Sequence, residues 1–219
     1  ITISFTGEQE EQAKEMAFLS KALLIAVLLI FLILVAQFNS ATTPIIISIS
    51  VFLSLIGVLF GLLLFRMDFV VLMTMIGIIS LAGIVVNNAI VLIDYINLTI
   101  IRKRRELDLE TNEKLTPNLL VECVVEAGKT RLRPVLLTAI TTILGLLPLA
   151  LGININFRTL ITELNPNFYI GGENVAFWGP MGWAIVFGLT FATFLTLVVV
   201  PILFYLINKL KTKKVKVTS

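Results

Sequence analysis

The chain has 219 residues, 58% of them hydrophobic and 14% charged, with a mean hydropathy of +1.00. Soluble domains are about 45–50% apolar and about 25% charged, so lipid solvates much of this chain. The absence of histidine excludes a Ser-His-Asp triad, a histidine general base and an HExxH zinc site. The one cysteine, Cys123, excludes an internal disulfide and a cysteine-rich metal centre. No metal, no cofactor and no catalytic residue are expected; what chemistry there is rests on carboxylates, amides, hydroxyls, lysines and arginines.

Residues 1–5 alternate apolar and polar as the end of a strand does. Thr6-Gly7-Glu8-Gln9 then reads as a capping box that opens a polar helix. Residues 1–16 are therefore expected to be the end of an external β-containing domain and its helical connection. With Ile1 in first place and no signal-peptide pattern behind it, the chain reads as part of a longer one.

Spanning the hydrocarbon takes roughly 20 apolar residues as a helix. Five segments meet that length: about 17–38, 44–65, 70–96, 134–152 and 180–207. Lys21 lies near the start of the first and snorkels to the interface. Pro44, Pro134 and Pro180 are placed at span starts, where a missing N–H costs nothing, while Pro148 and Pro201 fall inside spans and predict kinks. Between the third and fourth spans, Thr116-Pro117 opens a short surface helix. Leu120, Cys123, Val124 and Ala127 form its apolar face, and Gly128 is expected to end it. Cys123 reads as packing. The outer loop, about 153–179, is rich in Asn and Gly, and Trp178 and Trp183 mark the interface beside it. Residues 208–219 form a basic tail.

With five spans, thirteen of the 17 basic residues fall on one side, in 97–133 and after 207. The positive-inside rule puts that side, with the C-terminus, in the cytoplasm and the N-terminus outside. The net charge of +3 is then a topology signal with some attraction to anionic lipid, and needs no nucleic acid. Asn97-Leu98-Thr99 fits the glycosylation pattern but lies on the cytoplasmic side. The expected fold is an all-α membrane protein, a bundle of five helices over 17–207 with a short cytoplasmic surface helix.

Polar residues recur inside the apolar spans. In the third, Gly77, Ser80, Gly83 or Ile84, Asn87, Val91 and Asp94 follow three- and four-residue steps along one helix face, with Asn88 about 100° away. In the fourth, Thr138, Thr141, Gly145, Pro148 and Gly152 do the same. Small residues let helices approach closely, and packing is the reading for Gly57, Gly61, Gly83, Gly145 and Gly188. Packing does not account for two adjacent amides and a carboxylate. An ionised carboxylate at a helix centre costs about 2.5–3.5 kcal/mol even on mild insertion scales. A polar pathway through a larger bundle accounts for Asn87, Asn88 and Asp94 together.

Two stretches carry a resemblance. Gly83-Ile-Val-Val-Asn-Asn-Ala-Ile-Val-Leu-Ile-Asp94 resembles the tenth membrane helix of resistance-nodulation-division (RND) efflux transporters. Arg131-Leu-Arg-Pro-Val-Leu-Leu-Thr138, continuing to Gly145-Leu-Leu-Pro148, is similar to their eleventh. The resemblance covers spans eight to twelve of twelve, and within the family it points to the hydrophobe/amphiphile branch, not the heavy-metal one. It implies a proton-driven, homotrimeric pump in the bacterial inner membrane. The implied partners are the N-terminal half of the same transporter, a periplasmic adaptor and an outer-membrane channel. The family's relay pairs fourth-helix aspartates with a lysine and a threonine. Thr138 matches that threonine, Arg131 a nearby arginine, and Asn87 stands at the lysine's place; Asn88, Asp94 and Thr141 complete the candidate coupling set. The alternatives are a stand-alone membrane scaffold or assembly subunit, and an RND relative that moves lipids or proteins.

Overall fold

The computed structural model describes residues 7–38, 42–108, 115–155, 161–164 and 168–216. The expected strand at 1–5 and its capping Thr6 lie outside the described residues. Five helices carry the fold: α1 (Glu8–Phe38), α2 (Thr42–Leu64), α3 (Val71–Glu106), α4 (Pro117–Leu151) and α5 (Glu173–Lys216). Each is long and apolar enough to cross a membrane. The chain is an all-α, multi-pass membrane bundle.

Three helices outrun the predicted spans. At 1.5 Å per residue, the 36 residues of α3 extend ~54 Å, against a hydrocarbon core of about 30 Å. Its last turn holds Lys103, Arg104 and Arg105. The expected surface helix is the N-terminal half of α4, which runs unbroken through Gly128 and Pro134. Gly128 therefore does not end it, and Pro134 lies inside the helix instead of at a span start. A glycine costs a helix only about 1 kcal/mol, which the packed neighbours Leu120, Cys123, Val124 and Ala127 offset. The stop comes at Gly152, whose left-handed φ of 72° suits only glycine. Similarly, α5 begins at Glu173 and carries both Pro180 and Pro201 inside it. Between α4 and α5 a two-residue ladder pairs β1 (Ile153–Asn154) with β2 (Tyr169–Ile170), antiparallel. Asn154 clamps this ladder, its Nδ2 donating to the carbonyls of Gly152 at 3.0 Å and Gly171 at 2.8 Å.

The core lies between α2, α3 and α5. Leu81, Val85, Ala89, Leu92 and Ile96 line the inward face of α3 and are essentially inaccessible. By contrast only 11% of the apolar stretch of α1 is buried, against 56% for α3. The α2–α5 contact is a glycine–aromatic fit at four-residue steps. A Cβ on Gly57 would collide with Phe191, and one on Gly61 with Phe187. Phe187 in turn stacks between Phe65 at 5.0 Å and Trp183 at 5.2 Å. On the other side, Gly188 receives Leu81 of α3 and Val58 of α2. The cost of a glycine in a helix is repaid here by close approach, since dispersion is what holds helices together in lipid.

Gly57→Ala or Gly61→Ala should lower the stability of the transporter by about 1–3 kcal/mol, the usual cost of overpacking. Gly128→Ala, whose Cβ would meet nothing within 4 Å, should instead raise it, by up to about 1 kcal/mol. Denaturant titration in detergent checks both; equal effects at the three sites would refute the fit.

Candidate functional site: two outward-facing polar stripes

The polar stripe of α3 faces away from the core. Ser80, Gly83, Asn87 and Asp94 are exposed, Val91 is half-buried, and the stripe's first member, Gly77, is buried against Ala184 and Met181. Asn88 is buried, being only 8% accessible. Helix geometry dictates this split. Val85 and Ala89 point inward, and Asn87 is about 200° round from Val85. A helix whose large aliphatic residues take the inner face leaves its amide and carboxylate outside.

The second stripe behaves alike. Thr138, Thr141, Gly145 and Pro148 of α4 are exposed, whereas Gly152 is buried beneath Val175. Thr138 donates its hydroxyl to the Val135 carbonyl at 3.0 Å, and Thr141 donates to the Leu137 carbonyl at 2.8 Å. Each hydroxyl hydrogen is thereby used within the helix, leaving the oxygen's lone pairs to accept. Gly83 and Gly145 sit differently from the packing glycines, because a Cβ on either would meet nothing within 4 Å. They pack against nothing within the described residues.

At the basic end, α3 and α4 are tied together. The Arg131 guanidinium lies 4.3 Å from the centroid of the Tyr95 ring, a cation–π contact, and its buried Nε has no hydrogen-bond partner among the described residues. Nearby, Lys103 of α3 reaches Glu122 of α4 at 3.3 Å and Glu106 at 3.7 Å. Asp94 forms no ion pair among the described residues. Asn87 and Thr138 each stand about two turns, ~12 Å and ~10.5 Å, from the Tyr95–Arg131 contact in the direction away from the basic end. The antiparallel helices therefore hold amide and hydroxyl at one depth. Tyr95 was not among the residues singled out from sequence; its place directly after Asp94 is the only signal it leaves.

Residues 1–156 match the sequence profile of the AcrB/AcrD/AcrF family. The chain belongs to this family, and with it to the RND transporters. It is 37% identical over 214 residues to the swarming motility protein SwrC of Bacillus subtilis (strain 168), covering 98% of this chain and 17% of SwrC. It is 28% identical over 191 residues to multidrug resistance protein MdtC of Erwinia tasmaniensis, covering 87% of this chain and 16% of MdtC. The crystal structure of a heavy metal efflux pump superposes with a TM-score of 0.69 at 29% identity, over 95% of this chain and 18% of that one. The chain thus spans under a fifth of the length of the relatives it matches. Among the described residues no three His, Cys, Asp or Glu side chains converge as a metal site.

The Tyr95–Arg131 contact should be separable by a double-mutant cycle. Tyr95→Leu and Arg131→Leu together should cost less than the sum of the single changes, by about 0.5–2 kcal/mol. Strict additivity in unfolding of the full-length transporter would mean that the contact contributes nothing.

Proposed function

We propose that this chain supplies the eighth to twelfth membrane helices of a proton-driven RND exporter of amphiphiles. It is a transporter, not an enzyme. It stands in the inner membrane with its basic end in the cytoplasm, by the positive-inside rule. The working pump is a homotrimer joined to a periplasmic adaptor and an outer-membrane channel. One observation carries this reading. On α3 the bundle buries Leu81, Val85, Ala89, Leu92 and Ile96, and it leaves Asn87, Asp94, Thr138 and Thr141 outward at hydrocarbon or near-hydrocarbon depth. Such groups in a membrane belong against other protein or water. The surface they make suits the N-terminal half of the same transporter.

In that arrangement, protonation of carboxylates on the facing half changes their attraction to the Asn87 amide and to the Thr138 and Thr141 oxygens. The α3–α4 pair, held in register by Tyr95–Arg131 and Lys103–Glu122, then moves as a unit. Rocking of helix groups about a midplane site is the common motion of secondary transporters. The name of the Bacillus subtilis relative, a swarming motility protein, favours a second reading in which the chain belongs to an RND relative that is not a drug exporter.

In the full-length transporter, Asn87→Leu should cut export roughly 5- to 150-fold, the range of ordinary coupling free energies, with insertion and abundance unchanged. Asn87→Gln, which keeps an amide, should retain part of the activity. Export of a fluorescent amphiphile from cells measures both, with and without a protonophore. Wild-type export by the leucine variant sinks the coupling role, and export that survives the protonophore sinks the proton.

A further inference from the structure

At the basic end, residues 121–132 of α4 and 197–205 of α5 part to leave an open groove of ≈ 500 Å³. Its walls are apolar, and its outer parts, Val125 and Ile202 among them, are about half accessible, at 47% and 51%. Two features make it a groove. Gly128 leaves its floor open, with nothing within 4 Å of where a Cβ would stand. Opposite, Pro201 has no N–H to give the Leu197 carbonyl, so a polar acceptor without its helical donor is left on the α5 wall.

Of the lining residues, Lys129 and Tyr205 alone carry polar side-chain groups. Lys209, one turn beyond Tyr205, places its Nζ 5.6 Å from that ring's centroid. Neither Lys129 nor Lys209 forms an ion pair among the described residues. The acids nearest in sequence are Glu122 and Glu126, on α4; Glu122 is already engaged by Lys103. An apolar slot with two ammonium groups at its rim, neither in an ion pair among the described residues, matches one ligand chemistry, an acyl chain bearing a phosphate. We propose that the groove is a binding site for an anionic glycerophospholipid of the cytoplasmic leaflet. Its acyl chain lies along Leu132, Leu197 and Pro201, and its headgroup lies between Lys129 and Lys209. The assignment of leaflet rests on the orientation proposed above; the binding itself does not depend on transport.

The full-length transporter is reconstituted in nanodiscs of equal parts phosphatidylglycerol and phosphatidylcholine with identical acyl chains, and retained lipid is counted by native mass spectrometry. Wild type should keep phosphatidylglycerol in preference. Lys129→Gln with Lys209→Gln should lower that preference about fivefold per lysine, and Lys129→Arg with Lys209→Arg should keep it. Gly128→Leu, for which the groove has room, should reduce retention of both lipids while export continues. Equal retention of the two lipids by wild type overturns the site, as does a preference that the glutamine variant leaves unchanged. A photo-crosslinking residue at position 202 that captures protein instead of lipid overturns it too.

Discussion

Every polar group at hydrocarbon depth must find a partner, and the packing of this bundle decides which of its own groups do. Ser50 and Ser54 on α2 donate to carbonyls of their own helix, as do Thr190 and Thr193 on α5. These hydroxyls are satisfied locally, and Ser50, Ser54 and Thr193 add small, smooth surface to the core. An amide or a carboxylate cannot be quieted that way, because its spare lone pairs exceed what one helix offers. The outward turn of Asn87 and Asp94 is therefore the central fact of the structure. It follows from giving the inner face of α3 mainly to Leu81, Val85, Ala89, Leu92 and Ile96, with Asn88 and Thr74 among the polar residues buried beside them.

That choice is itself enforced by α5. With Phe187 and Phe191 seated on Gly61 and Gly57, and Gly188 occupied by Leu81 and Val58, α5 meets α2 and α3 through large residues on small ones. Rotating α3 to turn Asn87 inward would take Leu81 out of the Gly188 notch. The polar face is thus fixed by packing some distance from it. At the basic end the restraint changes character, from dispersion to charge. Arg131 on Tyr95 and Lys103 on Glu122 join α3 to α4 where water reaches. Exposed ion pairs are weak, and Glu122 is mostly exposed, so the register depends more on the half-buried Arg131.

Much of this was legible in the sequence. Five apolar runs of sufficient length left little choice of fold class, because lipid admits few spanning structures. The stripes were legible as stripes, since three- and four-residue steps define a helix face whatever surrounds it. Which way a face points was not. Gly57, Gly61 and Gly188 receive neighbours while Gly83 and Gly145 receive none, although all five look alike as small residues in apolar runs. Helix ends misled for a related reason. Gly128, Pro134 and Pro180 are breakers by propensity, yet tertiary contacts along α4 and α5 carry the helix through them. The Tyr95–Arg131 contact joins residues 36 apart in sequence, and depends on how two helices cross.

In the coupling proposed above, an asparagine where the resemblance puts the family's lysine alters the electrostatics. A lysine would neutralise a facing carboxylate and release it on protonation, so charge would move on both halves. Asn87 carries no charge at any working pH and can only exchange one hydrogen bond for another. All charge change must then occur on the facing half, with the amide and the Thr138 oxygen as neutral partners at one depth. Such a site loses long-range attraction but also escapes the desolvation of a second ion, which in a membrane costs several kcal/mol. Arg131 cannot stand in for the missing cation from where it lies. About two turns, or ~12 Å, separate it from the depth of Asn87, and its guanidinium is committed to the Tyr95 ring. The proposed coupling step is consequently short in range and strict in geometry, which suits an amide carried on a helix that the glycine-fitted core holds in place.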